Sequence, residues 1–157
     1  MKAWIQRVSS ASVVIDGVQV ASISRGYLVL LGVTHADTIA EADKIADRIP
    51  VLRLFRDANE QMNLSLEDVG GEVIVVSQFT LYADTSHGRR PGFGNAARPE
   101  IAEPLYERVV ARLRDRLGPD RVGTGRFGAD MKVSLVNDGP VSVELRIDAP
   151  AHPGGNL

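Results

Sequence analysis

The chain has 157 residues, no cysteine and a formal net charge of −2, with 44% hydrophobic and 24% charged residues. That is the size of one domain with a real core, and the lack of thiols excludes disulfides, a cysteine nucleophile and thiolate metal sites while fitting a reducing cytosol. The weakly acidic balance argues against a protein that grips nucleic acid mainly through phosphates, but leaves open a pocket for a nucleic-acid end.

The opening MKAWIQRV has no apolar h-region, and no apolar run approaches the ~20 residues of a membrane span. A cytoplasmic location with no membrane partner is the expectation. Lys2 to Ser9 alternates loosely and reads as a strand. Ala11 to Ile15 and Val18 to Ile23 flank Asp16-Gly17, a strong hairpin signal. Arg25-Gly26 turns the chain into Tyr27 to Val33, a continuous apolar run that reads as a central strand.

Thr38-Ile39-Ala40-Glu41 has capping-box spacing, and Ala42, Ile45, Ala46 and Ile49 supply the apolar stripe of a first helix. Pro50 ends that helix at Ile49. Arg53 to Arg56 is a short strand. Met62 to Val69 carries no decisive pattern.

Val73 to Val76 is a run of four β-branched residues, stiff at χ1 and suited to a strand buried on both faces. It ends at once in Ser77, Gln78 and Thr80, interleaved with Phe79, Leu81 and Tyr82. A buried strand that ends in hydroxyls and an amide is where a sheet presents chemistry at its edge. Taken alone, the segment reads first as a core strand with a polar end.

Thr85 to Arg98 is a loop rich in Gly and Arg. Ala102, Leu105, Tyr106, Val109, Leu113 and Leu117 form the apolar face of a second helix, with Gly118 at its C-terminal end and Pro104 expected in its first turn. Val122 to Phe127, Asp130 to Val136 and Val141 to Ile147 read as strands, the last with one wet face. The expectation is a single α/β domain over residues 1–148. It has a mixed sheet of about eight strands, partly closed or layered, with two main helices packed on it. Residues 149–157, with two prolines and two glycines, read as a flexible C-terminal tail.

Gly123 to Gly128 is a formal G-x-G-x-x-G, but that fingerprint must open a helix, and the following MKVSLV reads as a strand. The dinucleotide reading is rejected. His35, His87 and His152 have no metal-ligand spacing, so neither a metal nor another cofactor is expected. No G-x-S-x-G elbow surrounds Ser77, and no Ser–His–Asp set stands out. Arg89 and Arg90, beside His87 and Phe93, make a small basic and aromatic loop that is either solvated or a contact for a nucleic-acid end.

Two segments carry a resemblance. Ser77-Gln78-Phe79-Thr80-Leu81-Tyr82 resembles the SQ-x-x-LY motif of the D-aminoacyl-tRNA deacylases. Asn137-Asp138-Gly139-Pro140-Val141-Ser142 resembles their N-x-GPV-T motif, with serine in place of threonine. KAWIQRVSSASV, GYLVLLGVTH, GRRPGF and GRFGADMKVSLVNDGPV extend the likeness over most of the chain. The resemblance implies a homodimer that hydrolyses the ester of D-aminoacyl-tRNA. Ser77, Gln78, Phe79 and Thr80 would form the catalytic segment. Gly139 and Pro140 would be a cis pair reaching the partner's site, with Arg7, Asn137, Val141 and Ser142 in support.

An aminoacyl ester is already activated, so positioning and oxyanion stabilisation suffice. By this resemblance, backbone N–H groups around Gln78, Phe79 and Thr80 would hold the oxyanion, and the ribose 2′-hydroxyl would help position or activate water. Thr80 is either a nucleophile or a hydrogen-bonding group, and no base is visible to activate it. A non-catalytic RNA- or protein-binding module, or a hydrolase of another activated ester, are the rival readings.

Overall fold

The computed structural model describes residues 1–151; His152 and the rest of the tail lie outside the described residues. The longest strands, β1 (Lys2–Ile15) and β8 (Lys132–Arg146), run antiparallel along most of their length. On its other edge β1 changes partner. Its first half pairs with β3 (Gly26–Gly32), and its second half pairs with β2 (Val18–Ile23). The β1–β2 turn places Asp16 and Gly17 at φ 49° and 76°, the two left-handed positions that a type I′ hairpin demands.

β3 continues the sheet in parallel to β6 (Glu72–Ser77), and β6 to the short β7 (Val122–Thr124). The sheet is mixed and curls until β7 meets β2. A Cβ on Gly123 would lie 3.1 Å from Ala21 Cβ and 3.2 Å from Ile74 Cγ1, so only glycine lets the ends approach this closely. Six strands form this nearly closed, barrel-like sheet. The other two, β4 (Arg53–Arg56) and β5 (Met62–Ser65), form a separate ribbon.

β6 is buried on both faces, as its β-branched run predicts. Val73 and Val75 enter the core beneath the helices; Ile74 and Val76 enter the core inside the curled sheet. Helix α1 (Ile39–Arg48) begins with the expected capping box. The Thr38 N–H and hydroxyl both donate to Glu41 Oε2, at 2.8 and 2.6 Å, and Ala40 N–H donates to Thr38 Oγ1 at 3.2 Å. Helix α2 (Pro99–Leu117) lays all six expected residues into the core, together with Val110. Each such fully buried aliphatic side chain contributes about 1.5–3 kcal/mol. Arg108 and Arg112 tie α2 to Asp43 and Asp47 of α1.

Three expectations change. Pro99, not Pro104, occupies the first turn of α2; Pro104 lies one turn further in. Lys2–Ser9 and Ala11–Ile15 are one strand, because the exposed pair Ser9-Ser10 marks a change of partner and not an end. Asp130–Val136 and Val141–Ile147 also join, into β8, and the segment between them is absorbed by register shifts against β1. Met62–Val69 resolves into β5 and a turn.

Candidate active site

β6 ends at Ser77, beside Leu31 of β3. The chain then makes one 3-10 turn, Phe79–Tyr82, closed by Leu81 N–H to Gln78 O and Ala83 N–H to Thr80 O. The first amides of such a turn have no partner within it. Among the described residues, Phe79 and Thr80 therefore present backbone donors that no carbonyl takes up, whereas the Gln78 N–H donates to Leu31 O at 2.8 Å. The expected trio of amides is thus reduced to two, because the sheet ladder continues one residue past the strand. Lys2 supports the turn with its ammonium over the Tyr82 ring at 4.8 Å and a hydrogen bond to Leu81 O.

The turn stands at the edge of a cavity of about 540 Å³. Ser77, Gln78 and Phe79 line one side, Ala96 and Ala97 another, and Tyr106, Phe127 and Met131 contribute the aromatic and sulfur-bearing wall. Tyr106 is fixed by its hydroxyl, which donates to Val75 O at 2.8 Å, and its ring lies 6.0 Å from that of Phe127. Among the described residues, no carboxylate or imidazole lines the cavity. Its one titratable wall group, Tyr106, has its pKa pushed up to about 12 by burial, so it is no base at neutral pH.

The Thr80 hydroxyl meets the Gln78 side-chain amide. Whichever way that amide is turned, it is not a base, so Thr80 has no group to take its proton.

The second segment is built differently. Gly139 and Pro140 are joined by a cis peptide bond and lie exposed on β8. Arg7, only 3% exposed, reaches up beneath them. Its Nε donates to Asp138 O at 2.8 Å and its Nη1 to Leu54 O at 2.6 Å. Asn137 clamps the far side: Val141 N–H donates to its Oδ1 at 2.7 Å, and its Nδ2 donates to Val141 O at 3.2 Å and to Ser142 Oγ at 3.0 Å. Serine at 142 keeps the acceptor that a threonine would supply. Gly139 has φ 154°, and a Cβ there would sit 2.7 Å from Val141 N, so the position admits no side chain.

The sequence matches a known family. Residues 4–146 match the family described as D-Tyr-tRNA(Tyr) deacylase. The chain belongs to that family. It is 54% identical over 145 residues to a D-aminoacyl-tRNA deacylase of Clostridioides difficile (strain 630), covering 92% of this chain and 96% of the relative. A D-aminoacyl-tRNA deacylase of Roseiflexus castenholzii is 57% identical, covering 92% and 91%. Among solved structures, the c-Myc DNA Unwinding Element Binding Protein superposes with a TM-score of 0.89 at 40% identity, covering 95% of this chain and 100% of that one. A probable eukaryotic D-amino acid tRNA deacylase, at 17% identity and a TM-score of 0.81, shares the fold. The deacylase family is one of hydrolases acting on ester bonds, and this member is an enzyme of that class.

Within one chain of this deacylase the two motifs do not meet. Gly139 is level with Arg7, which pairs with Tyr27, which pairs with Val73; Ser77 lies four residues further along β6. Three strand spacings and four residues of rise separate the segments by about 14 Å across the sheet and about 13 Å along it. Arg89 and Arg90 are exposed on the loop beyond the cavity. His87 is exposed too, and His152 lies outside the described residues. Among the described residues no cluster of His, Asp and Glu could hold a metal ion, and no helix is long and apolar enough to cross a membrane. Gly123 to Gly128 leads from β7 through a turn into β8, with no helix at its end.

Sequence reasoning missed Tyr106 and Phe127 as cavity walls. Both have aromatic side chains on elements read only as core, and nothing local distinguishes a core ring from a pocket ring.

Proposed function

We propose that this enzyme hydrolyses the ester of D-aminoacyl-tRNA, releasing tRNA and the free D-amino acid, and that it acts as a homodimer. The observation that carries the reading is the turn whose Phe79 and Thr80 amides no carbonyl takes up, with Phe79 lining a cavity that has no general base among the described residues. Such a site suits a substrate that is already activated. The terminal adenine occupies the apolar cavity, and the ester carbonyl points at the two amides. Water adds to the carbonyl carbon while its proton passes by way of the ribose 2′-hydroxyl to the departing 3′-oxygen; the oxyanion is held by the Phe79 and Thr80 N–H groups, and collapse breaks the ester C–O bond. The neighbouring ribose 2′-hydroxyl positions the water. Thr80 acts as a hydrogen-bonding group, not as a nucleophile.

Chirality is set by exclusion. Gly139-Pro140 forms a backbone wall that leaves room for hydrogen on Cα and none for a side chain pointing the wrong way. The wall belongs to the partner subunit. A Cα sits next to its own ester carbonyl, while the same chain's wall lies roughly 19 Å away over the sheet. Arg89 and Arg90 meet the acceptor-end phosphates.

The test is to time deacylation of D-tyrosyl, D-aspartyl, glycyl and L-tyrosyl tRNA side by side. Exclusion predicts cleavage of the first three and sparing of the last, since glycine carries hydrogen at both positions. Each 1.4 kcal/mol of clash is about tenfold in rate ratio. Glycyl-tRNA as resistant as the L-tyrosyl ester refutes exclusion. Sedimentation at micromolar concentration should give twice the 16.9 kDa chain mass; a fully active monomer refutes the shared site. Binding of tRNA without hydrolysis of any ester would instead support a non-catalytic module.

A further inference from the structure

The loop from Asp84 to Ala97 returns to the site it leaves. Its base is closed by two hydrogen bonds between Asp84 and Gly92, at 2.7 and 2.8 Å. Its far end is fixed by Ala97 N–H to Val33 O at 2.9 Å. Between these anchors lies Phe93-Gly94-Asn95-Ala96, with its own turn bond from Ala96 N–H to Phe93 O and a backbone bridge from Ala96 to Thr34. Two side chains outside both motifs hold this span to the end of β3. His35 Nε2 donates to Gly94 O at 2.7 Å, and Thr34 Oγ1 donates to Asn95 O at 2.6 Å. Thr34 is itself fixed by Asp37, whose Oδ2 accepts the Thr34 N–H at 2.8 Å.

What the span carries is Phe93. Its ring meets that of Phe79 edge-on, centroids 5.0 Å apart at 72°. Both rings are substantially exposed, at 42% and 56%, so neither is fixed by being enclosed in the core. Phe79 also lines the cavity, and its amide, with that of Thr80, is one of the two in the turn that no carbonyl takes up. A short 3-10 turn has poor intrinsic rigidity, and an edge-to-face aromatic pair adds a directional contact that resists its rotation.

We propose that His35 and Thr34 are positioning residues for the deacylation. By holding Gly94 and Asn95 they set Phe93 against Phe79, and Phe93 sets the orientation of the Phe79 and Thr80 amides. This rests on the reading of those amides as the oxyanion site. A misplacement of about 1 Å there costs on the order of a hundredfold, and loss of one of two tethers gives part of that.

The experiment compares His35→Ala, His35→Gln, Phe93→Ala and the His35→Ala/Phe93→Ala double variant. His35→Ala should lower kcat at saturating D-tyrosyl-tRNA about tenfold, with KM within twofold. His35→Gln keeps an N–H donor of similar reach and should recover most of the loss. In the Phe93→Ala background, His35→Ala should add less than twofold, because its effect passes through that ring. In ¹⁵N spectra, His35→Ala should move the Phe79 and Thr80 amide resonances and leave Val143 on β8 in place.

Unchanged kcat, equal loss in the Ala and Gln variants, additive losses, or unmoved Phe79 and Thr80 resonances each overturn the proposal. If the unsubstituted protein cleaves no aminoacyl ester, the functional reading fails, while the spectra still decide whether His35 positions the two amides.

Discussion

Arg7 is the residue through which the wall can be perturbed without touching the catalytic turn. Its guanidinium is buried and makes two charge-assisted hydrogen bonds, to Asp138 O beneath the Gly139-Pro140 pair and to Leu54 O on β4. Each bond of this kind contributes about 1.5–3 kcal/mol. Arg7→Ala removes both, a gross loss of about 3–6 kcal/mol, offset in part because a cation no longer has to be buried; the net cost should be about 2–4 kcal/mol. The Asp138 carboxylate, 3.7 Å away and 60% exposed, adds little.

In urea the midpoint should fall by about 1–2 M for a slope of roughly 2 kcal/mol/M. The wall loses its tie from below, so the ratio of D-tyrosyl to L-tyrosyl deacylation should fall at least tenfold, the equivalent of about 1.4 kcal/mol of relaxed clash. Arg7→Lys should lie between, since one ammonium does not reproduce a planar fork. Two results refute the reasoning: a midpoint unchanged in Arg7→Ala, or a lowered midpoint with an unchanged D/L ratio. The second would make Arg7 a structural residue with no bearing on the wall.

Thr80→Ala should keep measurable single-turnover cleavage and yield no acyl-enzyme by mass spectrometry; complete loss of chemistry with tRNA binding intact would make the hydroxyl essential. Thr38→Ala should cost about 0.5–2 kcal/mol by removing a helix cap, and that cost should depend on pH. The Thr38 hydroxyl, ahead of its backbone N–H, holds the Glu41 carboxyl below the usual glutamate range. A depressed folded pKa gives stability that is present above the ordinary value near 4.3 and lost as pH falls through the folded value. The difference between the two proteins in urea should therefore shrink from pH 7 to pH 3; an equal difference at both would place the Thr38 contribution outside the Glu41 carboxylate.

The parts of the fold that were legible in the sequence are those decided within a few residues. The capping box at Thr38, the type I′ turn at Asp16-Gly17 and the stripe of α2 all rest on local chemistry. The four β-branched residues announce burial on both faces, but not that the two faces belong to different cores, which depends on where β2 and β7 close the sheet. Pro104 was misplaced because the apolar stripe begins at Ala102, whereas the helix begins at the proline three residues earlier, whose fixed φ suits a first turn.

At the site, the sequence marks both motif segments, but which amides are free is not readable from it. Gln78 loses its donor to Leu31, a partner 47 positions away in the chain that only the β3–β6 register selects. His35 shows the same limit. Nothing next to it in sequence indicates that its ring meets Gly94 across 59 positions.

The two halves of the proposed site are held by separate sets of contacts, and this separation has a chemical consequence. The amide turn is fixed by the β3–β6 ladder, by Lys2 and by the Phe93 contact. The wall is fixed by Arg7 and Asn137 from β1 and β8. No residue named in one set holds the other. On the proposed reading, stabilising the oxyanion would accelerate any ester whose carbonyl reaches the amides, whatever its Cα configuration, so the turn would govern rate without selecting. The wall acts only on the substituent at Cα, so it selects without accelerating. A defect in the turn should slow D-tyrosyl and glycyl esters alike; a defect in the wall should leave those two rates near their original values and raise only the L-tyrosyl rate. A single enclosing pocket could not behave this way, because its contacts to the side chain would serve binding and selection together. On the proposed reading, the sheet sets the two segments three strands apart, so one subunit would bring the rate and the other the choice.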